Sequence, residues 1–326
     1  MACRFSSSSG VESTSREPDD YLTDERGMKC LPPAGDEMTK KKSSRDRWPE
    51  LCDRVASDDG LPSRDSGAWT EDKLYYWNRY IEITTTAMVG KPQWSAGVVY
   101  VDLFGGPGIC TLRESGRRIP GSALLAAWAP KPFDRILICE MDSKTAEVCR
   151  QRMESAGASE RTTFFVGDCN QEIHRINAQI PNRSLTLAFI DPEGLHAHFD
   201  TIRTLTTDRR ADLLVLLADR MDIVRNVALY ASQNQSKLDE FLGPDTNWRE
   251  KWQKLPNQSP ANVCKLFTNI YSHQLARLGY NAHTDRVMKS SRTSLYRVIY
   301  ASKSDLGLKF WEKISKIDRG GQKDLF

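Results

Sequence analysis

Five strand-like apolar runs, four of them rich in Val, Ile and Leu, recur between residues 98 and 217, and each leads into a stretch with helical spacing. The runs cover 98–103, 135–139, 162–166, 185–190 and 212–217. The helical stretches after them are expected over 122–128, 144–156, 172–178, 199–205 and 221–233. Strands that alternate with helices predict an α/β fold with a parallel, doubly wound sheet. The runs are continuously apolar rather than alternating, as strands are when helices cover both faces. Two later runs, around Met288 and over 295–301, predict a closing antiparallel hairpin, followed by a last helix over 309–317.

The remainder of the chain sorts around this unit. Leu74, Trp77, Tyr80 and Ile81 fall on one face of a helix expected over 69–88, which Gly90 and Pro92 end. A helical insertion carrying Trp248 and Trp252 is expected at 236–260, with a further helix over 261–278. Residues 1–46 are rich in Ser, Asp, Glu, Lys and Pro and read as a disordered tail. The expected division is a tail at 1–46, a helical lead-in at 47–96 and the α/β domain at 97–326.

Gross properties exclude several classes. The 326 residues hold no apolar stretch near the roughly 20 residues that span a bilayer, and Met1 to Ser9 lack an apolar signal region. A cytoplasmic protein with no membrane partner is expected. Eight cysteines form no CxxC pair, which removes zinc-ribbon and redox-motif readings. A net charge of +3 is too small to argue for a nucleic-acid partner by itself.

The ends of the apolar runs carry the chemistry. Val98 to Gly108 reads as a buried strand that ends in Asp102 and enters the turn Phe104-Gly105-Gly106-Pro107-Gly108. Glycines there let the backbone approach a ligand. No Gly-Lys-Ser/Thr follows and the spacing is not G-x-G-x-x-G, so a phosphate loop and an NAD fingerprint both fit poorly. An anion at the strand tip would repel phosphate but suits the amino group of a methionine moiety. The second run ends at Glu140, a carboxylate able to take both ribose hydroxyls, with Asp142 a weaker rival. The 38-residue interval from Asp102 exceeds the usual ~20, which a long loop over 111–120 would explain. The third run ends Gly167-Asp168-Cys169, where Asp168 could take an adenine amino group or cap a helix. The fourth ends Asp191-Pro192, where a carboxylate can orient or deprotonate a nucleophile. In open α/β sheets, ligands bind at these carboxyl ends.

Together these segments resemble the three-Cys-motif partner proteins, TcmP, over about residues 48–317. The stretches that carry the resemblance are 59–80, Tyr100 to Gly108, Gly121-Ser122, Phe189-Ile190-Asp191-Pro192, Leu238 to Gly243 and Phe310-Trp311. The resemblance implies a class I methyltransferase-like fold: a seven-stranded Rossmann-like sheet whose last two strands form an antiparallel hairpin. It implies S-adenosylmethionine (SAM) as cofactor, held by Asp102, Phe104, Gly106, Gly108, Glu140, Asp168 and Cys169. Asp191 and Pro192 would then face the acceptor. It also implies a protein partner carrying a three-Cys motif, which this chain lacks. The sequence departs from the pattern after Asp-Pro: Glu193 stands where the family has an aromatic. Gly194 stands where amino-methyltransferases of the Asp-Pro-Pro-Tyr type have a base-stacking ring.

Other features add less. His196 and His198 have no evident third metal ligand, so no metal site is expected. A basic C-terminal stretch, Arg286, Lys289, Arg292, Arg297, Lys303, Lys309, Lys313 and Lys316, interleaves with Tyr280, Tyr296 and Tyr300 and could touch phosphates. The leading expectation is SAM-dependent methyl transfer, with a nucleic acid as the candidate acceptor. The alternative is a SAM- or nucleotide-binding partner subunit with little activity alone.

Overall fold

A computed structural model of the chain describes residues 46–280, 282–290, 293–316 and 319. The expected tail thus lies outside the described residues, apart from Asp46. That residue accepts hydrogen bonds from the Trp48 amide (2.9 Å) and the Tyr75 hydroxyl (3.2 Å).

In chain order the elements are α1 (Trp48–Asp53), β1 (Arg64–Ser66), α2 (Trp69–Met88), β2 (Val98–Asp102), β3 (Ile109–Leu112), β4 (Arg118–Pro120), α3 (Ser122–Ala127), β5 (Arg135–Glu140), α4 (Ser143–Ser155), β6 (Thr162–Val166), α5 (Cys169–Ala178), β7 (Leu185–Ile190), α6 (Phe199–Thr206) and β8 (Arg210–Leu217). A π-helical turn over Asp219–Ile223 leads into α7 (Val224–Ala231). Then come α8 (Lys237–Leu242), α9 (Trp248–Gln253), α10 (Pro260–Arg277), β9 (Ala282–Ser290), β10 (Thr293–Ser302) and α11 (Asp305–Ser315).

Seven strands form one sheet in the order β6-β5-β2-β7-β8-β10-β9. The first five run parallel, while β10 is antiparallel to both β8 and β9. This is the expected doubly wound, class I methyltransferase-like α/β arrangement. The chain leaves β2 toward β5 on one side, and β7 lies on the other, so a topological switch falls at the end of β2. That is where open α/β sheets bind ligands.

β2 shows how the two faces are covered. Val98 and Tyr100 enter a core shared with α2, α3 and α11, while Val99 and Val101 enter a second core shared with α5, α6 and α10. The expected helix at 69–88 forms with those bounds. Its Trp77 is fully buried and stacks on Phe189 of β7, ring centroids 5.2 Å apart. Truncating such a side chain costs about 3–5 kcal/mol. Among the described residues no helix is long and apolar enough to cross a membrane.

One expectation needs correcting. Most of 111–120 is not a long loop but the hairpin of β3 and β4, which pairs with β1 of the lead-in as a three-stranded sheet. These strands are only three or four residues long, too short for apolar periodicity to show them. The helical insertion forms as two short helices, α8 and α9. Its Trp248 is buried against Phe267 and donates to Asp239 at 2.7 Å, so the ring is part of the core.

Candidate functional site

The turn after β2 is held from three sides. The Gly105 amide donates to the Cys139 carbonyl (2.9 Å), and the Gly106 amide donates to Glu140 Oε2 (2.9 Å). Gly108 accepts from the Gly121 amide (2.8 Å), and a Cβ on Gly121 would stand 3.0 Å from that carbonyl. This close approach accounts for Gly121 in the motif. Gly106 has φ +59°, in the left-handed region that favours glycine. A Cβ there would meet nothing nearer than the Arg64 guanidinium, 3.9 Å away, so it would project into the open site.

Asp102 is fully buried behind the turn. It accepts from the Phe104 amide (3.2 Å) and lies 3.5 Å from the Tyr100 hydroxyl. Burial pushes its carboxyl up to about 7, and the charges of Asp191 and Glu140 push the same way. Such a group favours a cationic neighbour. Glu140 at the end of β5 accepts the Gly106 amide with one oxygen and the Asp142 amide (3.0 Å) with the other. Asp142 itself caps α4 through the Thr145 amide.

Asp168 caps α5, accepting from the Asn170 amide and side chain at 2.9 Å each. It is absent from the walls of both cavities described below, and Cys169 is buried in the second core. The structure therefore does not bring these two into the open site, and Asp102, equally absent from both walls, stays behind the turn. Asn170 instead fixes the 196–198 loop, donating to the His196 carbonyl (2.8 Å) and accepting the His198 amide (3.0 Å).

Two cavities meet at the turn. The inner one, about 370 Å³, is walled by the turn, by Lys73, Trp69 and Arg113, and by Asp191, Pro192 and Tyr296. The outer one, about 620 Å³, is walled by Glu140, Met141, Lys144, Val148 and His196. Arg64, Phe104, Gly106, Pro107, Asp191 and Glu193 belong to both. His198 lies 3.3 Å from Glu240, away from both cavities.

Two ion pairs tie the lead-in to the end of β7. Lys73 of α2 pairs with Asp191, and both side chains are largely buried. Arg64 of β1 pairs with Glu193, whose side chain is 74% exposed. Burial works against the Arg64 charge, yet Asp191, Glu193, Cys110 and Glu140 together hold its pKa above the ordinary value. Lys73 Nζ also sits 4.7 Å from the Trp69 ring, which packs on Tyr296 at 4.4 Å between centroids. These two rings form an aromatic wall in the inner cavity.

Arg152 of α4 is the hub of the lead-in. Its guanidinium makes five hydrogen bonds of 2.7–3.0 Å: two to Asp59 and one each to the carbonyls of Leu61, Pro62 and Pro107. Sequence reasoning missed Arg152, Arg64, Lys73, Trp69 and Met141, and named Tyr296 only among the aromatics of the basic C-terminal stretch. Met141 carried a signal, a large apolar residue beside a strand-end acid, and it is 67% exposed in the outer cavity. Three of the basic C-terminal residues are engaged with the fold: Arg286 lies over Tyr76 (4.4 Å), Arg297 on Asp219 (3.2 Å) and Lys303 on the Thr206 carbonyl (2.7 Å). Arg292 lies outside the described residues.

No protein-family model matches the chain, and no curated protein matches it. Among solved structures it is similar to the O-methyltransferase from Bacillus cereus in complex with S-adenosylhomocysteine (SAH), at 13% identity and TM-score 0.43, over 81% of this chain and 94% of that one. It is also similar to the O-methyltransferase TomG from Streptomyces achromogenes in complex with SAM (11%, TM-score 0.38, 80% and 99%). A third is protein LPL1258 from Legionella pneumophila (11%, TM-score 0.43, 76% and 93%). At such distances the fold rests on the chain's own strand order and not on these likenesses.

Proposed function

We propose that this chain is a SAM-dependent methyltransferase, with the cofactor lying across the glycine turn and a nucleic acid as acceptor. The observation that carries the reading is Gly106: left-handed, bonded to Glu140, and without a side chain where the two cavities meet. The motif resemblance to the three-Cys-motif partner proteins and the methyltransferase-like strand order support it.

SAM supplies, when bound, a methyl group on a positively charged sulfur. The chain's own part is to bind and align. Glu140 exchanges an amide partner for ribose hydroxyls, while Phe104 and Met141 offer apolar surface in the outer cavity. Asp102, behind the turn, favours the ammonium end. Asp191 and Lys73 border the acceptor side, where Asp191 orients the nucleophile and Lys73 keeps that carboxylate fixed. Alignment of this kind can supply about 7–11 kcal/mol. For the acceptor, the Trp69–Tyr296 wall suits a planar base, and Arg113 lines the same cavity.

One observation favours a second reading, a cofactor-binding partner subunit: the Asp191 carboxylate is already engaged by Lys73. Titration calorimetry with SAH, SAM, NAD and ATP tests the cofactor. SAH and SAM should bind; NAD binding without SAM binding overturns the reading. Fluorescence anisotropy with short DNA and RNA strands, in the presence of SAH, tests the acceptor. The logarithm of affinity should fall linearly with log salt, with a slope of about −0.7 per phosphate contact on single strands. No binding at low salt shifts the weight to the partner subunit.

A further inference from the structure

A methionine moiety brings a carboxylate as well as an ammonium, and a desolvated carboxylate needs a cation with matching donors. The walls of the two cavities offer Arg64, Lys73, Arg113 and Lys144. Lys73 is committed to Asp191 in a pair that is 5% and 15% exposed, and separating it would strand a buried charge. Lys144 belongs to the outer cavity alone, and Arg113 to the inner alone, where it donates to the Asp65 carbonyl (3.3 Å).

Arg64 differs on each count. It belongs to both cavities, and its Nη1 stands 3.9 Å from the point where a Cβ on Gly106 would sit. Its Nη2 meets Glu193. That carboxylate is 74% exposed, and ion pairs so open to water contribute little. A planar guanidinium can exchange one carboxylate for another without moving its own stem.

We propose that Arg64 anchors the carboxylate of the cofactor's methionine moiety, and that Glu193 is a resident carboxylate that holds Arg64 over the glycine turn until the ligand replaces it. The inference rests on the SAM reading above and gives Glu193 a role that the missing aromatic left open. β1 then serves the site directly: its pairing with β3 carries Arg64 to the turn.

Calorimetry with two ligands tests this. SAH has the amino-acid moiety; 5′-methylthioadenosine has the same nucleoside and thioether but no carboxylate. Arg64→Gln should weaken SAH by roughly 10- to 100-fold, the worth of a charge-assisted hydrogen bond, and leave methylthioadenosine within about twofold. Arg64→Lys should fall between. Glu193→Gln, a change at an exposed position, should tighten SAH severalfold and leave methylthioadenosine unchanged. Equal weakening of both ligands by Arg64→Gln, or no weakening of SAH, overturns the proposal. If Arg64→Gln does not fold, Glu193→Gln decides: unchanged or weaker SAH binding overturns it. Failure of the unaltered protein to bind SAH at all removes the SAM reading itself, and this proposal with it.

Discussion

Arg152 and Asp59 lie 93 residues apart and meet through two parallel contacts, Nε to Oδ2 at 2.8 Å and Nη2 to Oδ1 at 3.0 Å. The same guanidinium reaches the Pro107 carbonyl inside the glycine turn at 2.7 Å. One side chain thus joins the lead-in to the loop that forms the site. The arrangement holds the Asp59 carboxyl well below the usual carboxylate range, chiefly through its hydrogen bond to Arg152.

Arg152→Met should destabilise the fold by about 3–5 kcal/mol, because buried carbonyls lose their donors along with the ion pair. Arg152→Lys should lose most of that too, since an ammonium cannot reproduce the planar fork. Urea unfolding measures both. A lysine variant with the parent midpoint would show that charge alone holds the lead-in.

The strand-end acids were legible because each is marked locally: an apolar run stops and a carboxylate follows. Asp102, Glu140 and Asp191 all fall at or just past the last residue of a strand of the large sheet. Their partners were not legible. Lys73 reaches Asp191 across 118 residues and Arg64 reaches Glu193 across 129, and no periodicity links such positions. Asp168 shows a further limit. A Gly-Asp before a helix reads equally as a ligand residue and as an N-cap, and its oxygen bonds the cap amide. The burial of Trp248 was not legible either, because it depends on α8 and α10 closing over the ring.

Lys73 and Asp191 should be strongly coupled in stability. Lys73→Met alone or Asp191→Ala alone leaves a largely buried charge without its partner and should cost about 3–5 kcal/mol. The double variant should cost less than the sum by at least ~2 kcal/mol. Additive losses in a denaturant cycle would mean that the pair carries no net coupling. Asp191→Asn should leave SAH affinity nearly unchanged while abolishing methyl transfer, because the carboxylate borders the acceptor side.

The two adjacent glycines should separate folding from binding. A Cβ on Gly105 would lie 2.3 Å from Ile138 Cγ2, so Gly105→Ala must displace the Ile138 side chain or its strand and should cost about 1–3 kcal/mol. Gly106→Ala meets no clash but pays for its left-handed backbone, about 1 kcal/mol. Gly106→Arg should add little further loss of stability and should abolish SAH binding by filling the approach between the cavities. Thermal melts alongside calorimetry check this. SAH affinity retained in Gly106→Arg would place the ligand elsewhere.

Asp102 should make both stability and ligand affinity depend on pH. In the unfolded chain its carboxyl titrates near 3.8; in the fold, burial raises it to about 7. Between those values the folded protein holds a proton that the unfolded chain has released. The stabilisation is therefore complete below about 4 and is lost as pH rises through about 7. Other groups titrate over the same range, so the comparison is with Asp102→Asn, which keeps an acceptor for the Phe104 amide but does not ionise there. From pH 5 to 7 the parent should lose stability relative to the variant, at up to about 1.4 kcal/mol per pH unit, and the difference should level off above pH 8. Ligand binding should run the other way. A ligand ammonium favours the ionised carboxylate, so SAH affinity should rise between pH 5.5 and 7.5 in the parent and stay flat in Asp102→Asn. Calorimetry in two buffers of different ionisation enthalpy should also detect proton release on binding near pH 6.5. If the parent and the variant share one pH profile for both stability and SAH binding, Asp102 neither holds that proton nor faces the ammonium.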